Sequence, residues 1–121
     1  MQLLEQLLVV EDRADVLEML CDCLQEEGFA PFPARRKSEA LEHFSMNPEI
    51  RLVITDVRLT DGNGLDLISE LSRLRPETRF LVLTGNSDVD LPLARAKGAH
   101  GLLIKPASFE DILSALRQIG S

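Results

Sequence analysis

Residues 52–64 read LVITDVRLTDGNG: a short apolar run, an aspartate at its tip, and a loop rich in turn formers. A continuous apolar run of this length, bounded by polar residues, is typical of a strand covered on both faces, and that is the situation in a parallel sheet. Three further runs match it: LLVV at 7–10, FLVLT at 80–84 and GLLI at 101–104. A fifth strand is expected in GFAPFPA (28–34), where Pro31 and Pro33 cannot donate to a ladder and are best tolerated at a sheet edge. Helical spacing fills the gaps: Val16, Leu17, Leu20, Cys21 and Leu24; Ala40, Leu41 and Phe44; Leu67, Ile68, Leu71 and Leu74; Phe109, Ile112, Leu113, Leu116 and Ile119. Ser108 with Asp111 resembles a capping box, and Gly28, Pro76 and Gly98 punctuate helix ends. Five strands alternating with five helices predict an α/β chain. Its expected architecture is a doubly wound, flavodoxin-like (βα)5 three-layer sandwich on a parallel five-stranded sheet of order 2-1-3-4-5, one domain over 1–121.

Composition narrows the function classes. The chain has 121 residues, 45% hydrophobic and 27% charged, as an ordinary globular domain has. A formal charge of −7, with basic residues scattered among acids, argues against direct nucleic-acid binding. The N-terminal MQLLEQLLVVED suits neither a signal peptide nor a membrane span. Cys21 and Cys23, one residue apart on a helix, suit neither a disulfide nor a redox pair. A cytoplasmic protein with reduced thiols, off the membrane, is expected.

The chemistry sits in the residues at the end of each run: Glu11-Asp12 after the first, Asp56 after LVIT, Thr84 ending FLVLT, and Lys105-Pro106 after GLLI. In an open parallel sheet these C-terminal ends converge on one crevice. Three carboxylates there repel one another and raise each other's pKa unless a divalent cation takes them as ligands, and Mg2+ prefers such hard oxygens together with a phosphate oxygen. Lys105 then supplies positive charge for a phosphoryl group, Thr84 a hydroxyl donor, and Asp56 an attacking carboxylate. A lone aspartate after a strand is more often a turn residue; the convergence of four segments is the feature that favours a nucleophile.

These residues resemble, over essentially the whole chain, the receiver domain of a two-component response regulator, with an acidic pair, a phosphoacceptor aspartate, Thr and Lys-Pro in that order. Gly64 stands where the family's third helix opens. The resemblance implies transfer from a phosphohistidine of a sensor histidine kinase or histidine phosphotransfer protein to Asp56. It further implies Mg2+ bridging Asp12, Asp56 and the backbone carbonyl of Arg58, water orientation by Glu11, and a cis Lys105-Pro106 bond. Thr84 would swing toward the phosphoryl group and move a surface on the fourth helix, fifth strand and fifth helix. That face would serve output or homodimerisation, with an output domain beyond this chain.

The sequence also departs from the family. Leu102 replaces the usual Tyr or Phe, Thr60 replaces a common proline, and Thr84 and Lys105 are one residue closer than usual. Arg58 and Asn86 stand at the positions that flank attacking water, and Pro92 falls inside the expected fourth helix, DVDLPLARAKG, predicting a short, shifted or partly unwound one. Two other classes compete. One is a phosphorylation-independent interaction or dimerisation module. The other is a Mg2+-dependent phosphohydrolase, disfavoured because Arg58 stands where haloacid-dehalogenase-like enzymes need a second Asp. His43 and His100 have no ligand-spaced partners, and ARRK at 34–37 reads as a solvated turn.

Overall fold

The computed structural model describes residues 4–85 and 89–120. Its main sheet comprises β1 (Glu5–Val10), β2 (Phe29–Ala34), β3 (Leu52–Asp56), β6 (Arg79–Thr84) and β7 (Gly101–Ile104). A minimal hairpin of β4 (Arg58–Leu59) and β5 (Gly62–Asn63) sits within the loop after β3. The five large strands are all parallel in the order β2-β1-β3-β6-β7, which is the expected 2-1-3-4-5 once the hairpin is set aside. The helices are α1 (Ala14–Glu26), α2 (Lys37–Met46), α3 (Gly64–Leu74), α4 (Leu91–Ala96) and α5 (Phe109–Gly120).

Alternation along each strand builds the two cores. Leu8, Val10, Val53, Phe80 and Val82 face one side with Phe44 of α2, Ile68 and Leu71 of α3 and Ala94 of α4. Leu7, Val9, Leu52, Ile54, Leu81 and Leu83 face the other with Leu17, Leu20 and Leu24 of α1 and Ile112 and Leu116 of α5. Because both faces are covered, the strands read as unbroken apolar runs. Ala34 O of β2 accepts from Glu11 N, so the even-numbered residues of β2 turn toward β1 and the missing N–H groups of Pro31 and Pro33 fall on the open edge.

The fourth helix is short, six residues, but Pro92 does not break it. Asp90 caps the helix by accepting from Leu93 N at 3.0 Å, which places Pro92 in the first turn, where a backbone N–H has no intrahelical acceptor. Ser108 likewise accepts from Asp111 N at 3.1 Å at the start of α5. Gly28 and Gly98, at φ of 93° and 110°, end α1 and α4 in the left-handed conformation that glycine adopts readily.

Candidate functional site

Parallel strands end on one side, and the sheet register sets Asp56 against Leu83 and Thr84 against Ile104. Glu11, Asp12, Asp56, Thr84 and Lys105 therefore arrive together. A cleft of about 430 Å3 is lined by Asp12, Asp56, Val57, Arg58, Leu83, Thr84, Gly85 and Lys105. Ligand oxygens of Glu11, Asp12 and Asp56 all lie within 4.8 Å of one another. Lys105 Nζ bridges two of them, 2.6 Å from Asp56 Oδ1 and 3.4 Å from Glu11 Oε2. The Lys105-Pro106 bond is cis, as expected.

Burial makes this cluster electrostatically costly. Glu11 is 2% and Asp56 5% exposed. Desolvation pushes the Asp56 carboxyl above its ordinary range, against the opposing hydrogen bond and charge of Lys105. The Lys105 ammonium thus pairs with two of the three acids. Glu11 Oε1 is buried with no hydrogen-bond partner among the described residues. The Asp12 carboxylate, by contrast, lines the cleft. An unpartnered hard oxygen beside two further carboxylates is a donor set that fits a small divalent cation with bound water, and Mg2+ suits it.

Backbone architecture holds Asp56 in place. Gly64 N donates to Val57 O at 2.7 Å, and Thr55 Oγ1 donates to Asp56 O at 2.9 Å. A Cβ built on Gly64 would overlap the Asp56 carbonyl oxygen, so α3 can start this close to the strand tip only with glycine there. Arg58 opens the hairpin with an exposed side chain at the cleft rim. Asn86 lies outside the described residues.

Several residues without a sequence signal prove structural. Asp61 accepts from Lys37 N at 2.6 Å and Ser38 N at 3.0 Å, capping α2 from the hairpin turn. Those hydrogen bonds hold its carboxyl below the ordinary range. His100 Nδ1 accepts from Phe80 N at 3.1 Å while its ring stacks on Phe80, and burial, with the charge of Arg79, lowers its pKa. His43 Nε2 lies 2.8 Å from Pro33 O. Cys21 packs against the α1–α5 core, its thiol raised to about 11 by burial and Asp22. The Asp61, His100 and His43 contacts are long-range relations with no local sequence signature, whereas the packing of Cys21 follows from its place on the apolar stripe of α1.

This fold and acidic crevice are those of a signalling domain of two-component systems, and the chain belongs to the response regulator receiver domain family, whose model matches residues 7–117. It is 37% identical over 115 residues to the acid tolerance regulatory protein ActR of Rhizobium meliloti, covering 94% of this chain and 59% of ActR. It is 35% identical to the photosynthetic apparatus regulatory protein RegA of Rhodovulum sulfidophilum, covering 94% of this chain and 62% of RegA. The chain thus spans about three fifths of the length of these curated relatives. A receiver domain from Clostridium thermocellum superposes with a TM-score of 0.89 at 30% identity, covering 96% of this chain and 94% of that one. A response regulator from Burkholderia pseudomallei, solved with a phosphorylated aspartic acid, a calcium ion and citrate, matches at a TM-score of 0.83 and 34% identity. That match covers 93% of this chain and 66% of the other. No helix among the described residues is long and apolar enough to cross a membrane.

Proposed function

We propose that Asp56 is the phosphoacceptor of a phosphorylation-switched receiver occupying residues 1–121. The observation that carries this reading is the Asp56 carboxylate at the tip of β3, 2.6 Å from Lys105 Nζ and grouped with Glu11 and Asp12 in an open cleft. A carboxylate oxygen of Asp56 attacks phosphorus of a phosphohistidine; the new O–P bond forms as the P–N bond breaks and the imidazole leaves. Lys105 exchanges its carboxylate partner for a phosphoryl oxygen, and Thr84, 2% exposed at the tip of β6, donates its hydroxyl to another. Catalysis by these residues is positioning and charge neutralisation. Asp12, Asp56 and the backbone carbonyl of Arg58 would hold Mg2+, and Glu11 would orient water bound to it. When bound, the ion neutralises the crowded carboxylates and the incoming phosphoryl oxygens.

The donor is a sensor histidine kinase or histidine phosphotransfer protein, in the cytoplasm. Movement of Thr84 carries the segment after β6 and the α4–β7–α5 face, which controls a homodimer contact or an output domain outside this chain. The domain itself binds no nucleic acid directly. A second reading, a constitutive interaction module, is favoured by Leu102 on β7 and the six-residue α4, which provide no aromatic ring to follow Thr84.

Intact mass after incubation with acetyl phosphate and magnesium separates the two readings. A phosphoryl gain that disappears in Asp56→Asn and on chelation is expected. No gain in the native protein would leave the constitutive module as the better reading.

A further inference from the structure

The turn that carries two of the three acids is poorly anchored by its own helix. Arg13, at the N-cap of α1, makes no side-chain capping hydrogen bond. Its tethers come instead from the end of β2. Glu11 N donates to Ala34 O at 2.9 Å, and Arg35 donates both Nε–H and Nη2–H to the Asp12 carbonyl oxygen, each at 3.2 Å. Arg35 is itself fixed through its backbone N–H, which donates to Glu39 Oε1 in the first turn of α2 at 3.1 Å.

We propose that Arg35 is a positioning residue for the cation site: its guanidinium holds the Asp12 main chain so that the Asp12 carboxylate stays within reach of Glu11 and Asp56. The proposal rests on the magnesium reading of that acidic cluster. Asp12 is the least enclosed of the three acids and its carboxylate has no hydrogen-bond or ion-pair partner among the described residues, so its position depends on its backbone. A charge-assisted fork on that backbone carbonyl is the contact that fixes it.

The sign of the effect distinguishes this role from simple proximity of charge. Removing a positive charge near a cation site strengthens cation binding by Coulomb's law; removing a positioning contact weakens it. Arg36, the neighbouring residue, supplies the control, because its side chain has no hydrogen-bond or ion-pair partner among the described residues.

Isothermal titration of magnesium into the native protein, Arg35→Ala, Arg35→Lys and Arg36→Ala tests it, with thermal melts of each protein with and without the ion. Arg35→Ala should bind magnesium roughly three- to tenfold more weakly. Arg35→Lys, which keeps the charge and loses the fork, should fall between it and the native protein, and Arg36→Ala should bind as tightly as the native protein or more so. Each variant's melting temperature without magnesium is its own reference, and the further rise on adding the ion should be smaller in Arg35→Ala than in the native protein. Arg35→Ala binding as tightly as the native protein, or a loss equalled by Arg36→Ala, would overturn the proposal while leaving the metal reading intact. Absence of magnesium binding by the native protein would overturn both.

Discussion

Asp56 is expensive to keep ionised before its ligands arrive. Its carboxyl is buried beside Glu11 and Asp12, with Lys105 as the countercharge, and its pKa lies above the ordinary range because desolvation outweighs that lysine. Replacing it with the neutral isostere should therefore stabilise the magnesium-free protein. Asp56→Asn is expected to raise the melting temperature without magnesium by a few degrees, 1 kcal/mol being worth roughly 3–6 °C in a domain of this size. The same variant should lose most of the stabilisation that magnesium gives the native protein. Melts of both proteins with chelator and with magnesium check both halves, and a drop in the chelated Asp56→Asn protein would show that the Lys105 pair outweighs desolvation.

Helix α2 is tied at both ends by residues of other segments. Arg75, just past α3, donates to Phe44 O and Ile50 O at 2.9 Å, and its guanidinium lies 3.8 Å over the Phe44 ring. It closes the C-terminal end of α2 and the connection into β3. Arg75→Ala should cost about 1–3 kcal/mol, read as a lower denaturant midpoint with unchanged slope. Such ties explain which features are legible in the sequence and which are not. Strands β1, β3, β6 and β7 announce themselves as apolar runs, and Pro31 and Pro33 mark β2 as an edge, because both signals are local. The site residues are legible for the same reason: each stands at the end of a strand or within two residues after it, and a parallel sheet brings such positions together. Pro92 reads as helix-interior in the sequence because its effect depends on where the helix begins, and Asp90 sets that start two residues before it. Arg35, Arg75 and His100 act on partners 20 or more residues away, where spacing carries no signal.

At the scale of the whole molecule, two groups give the magnesium-free protein opposing responses to acid. His100 accepts the Phe80 N–H through Nδ1, and burial with the charge of Arg79 holds its pKa below the ordinary value. The unfolded chain gains that proton first, so the His100 contribution is intact above about pH 6.5 and is lost as pH falls through the lower folded value. Asp56 has a raised folded pKa: its penalty is complete above that value and is relieved as pH falls through it toward the unfolded one. Melting temperature measured from pH 7.5 downward should thus decline less steeply in His100→Gln than in the native protein, and more steeply in Asp56→Asn. Coincident slopes in the native protein and His100→Gln would rule out the histidine as a contributor. The cap on α2 has a temporal meaning as well. Lys37 and Ser38 find their acceptor in Asp61, a residue made after β3 is complete. During synthesis from the N-terminus, this helix leaves the ribosome with its first turn unsatisfied, and its closure waits for the hairpin beyond β3.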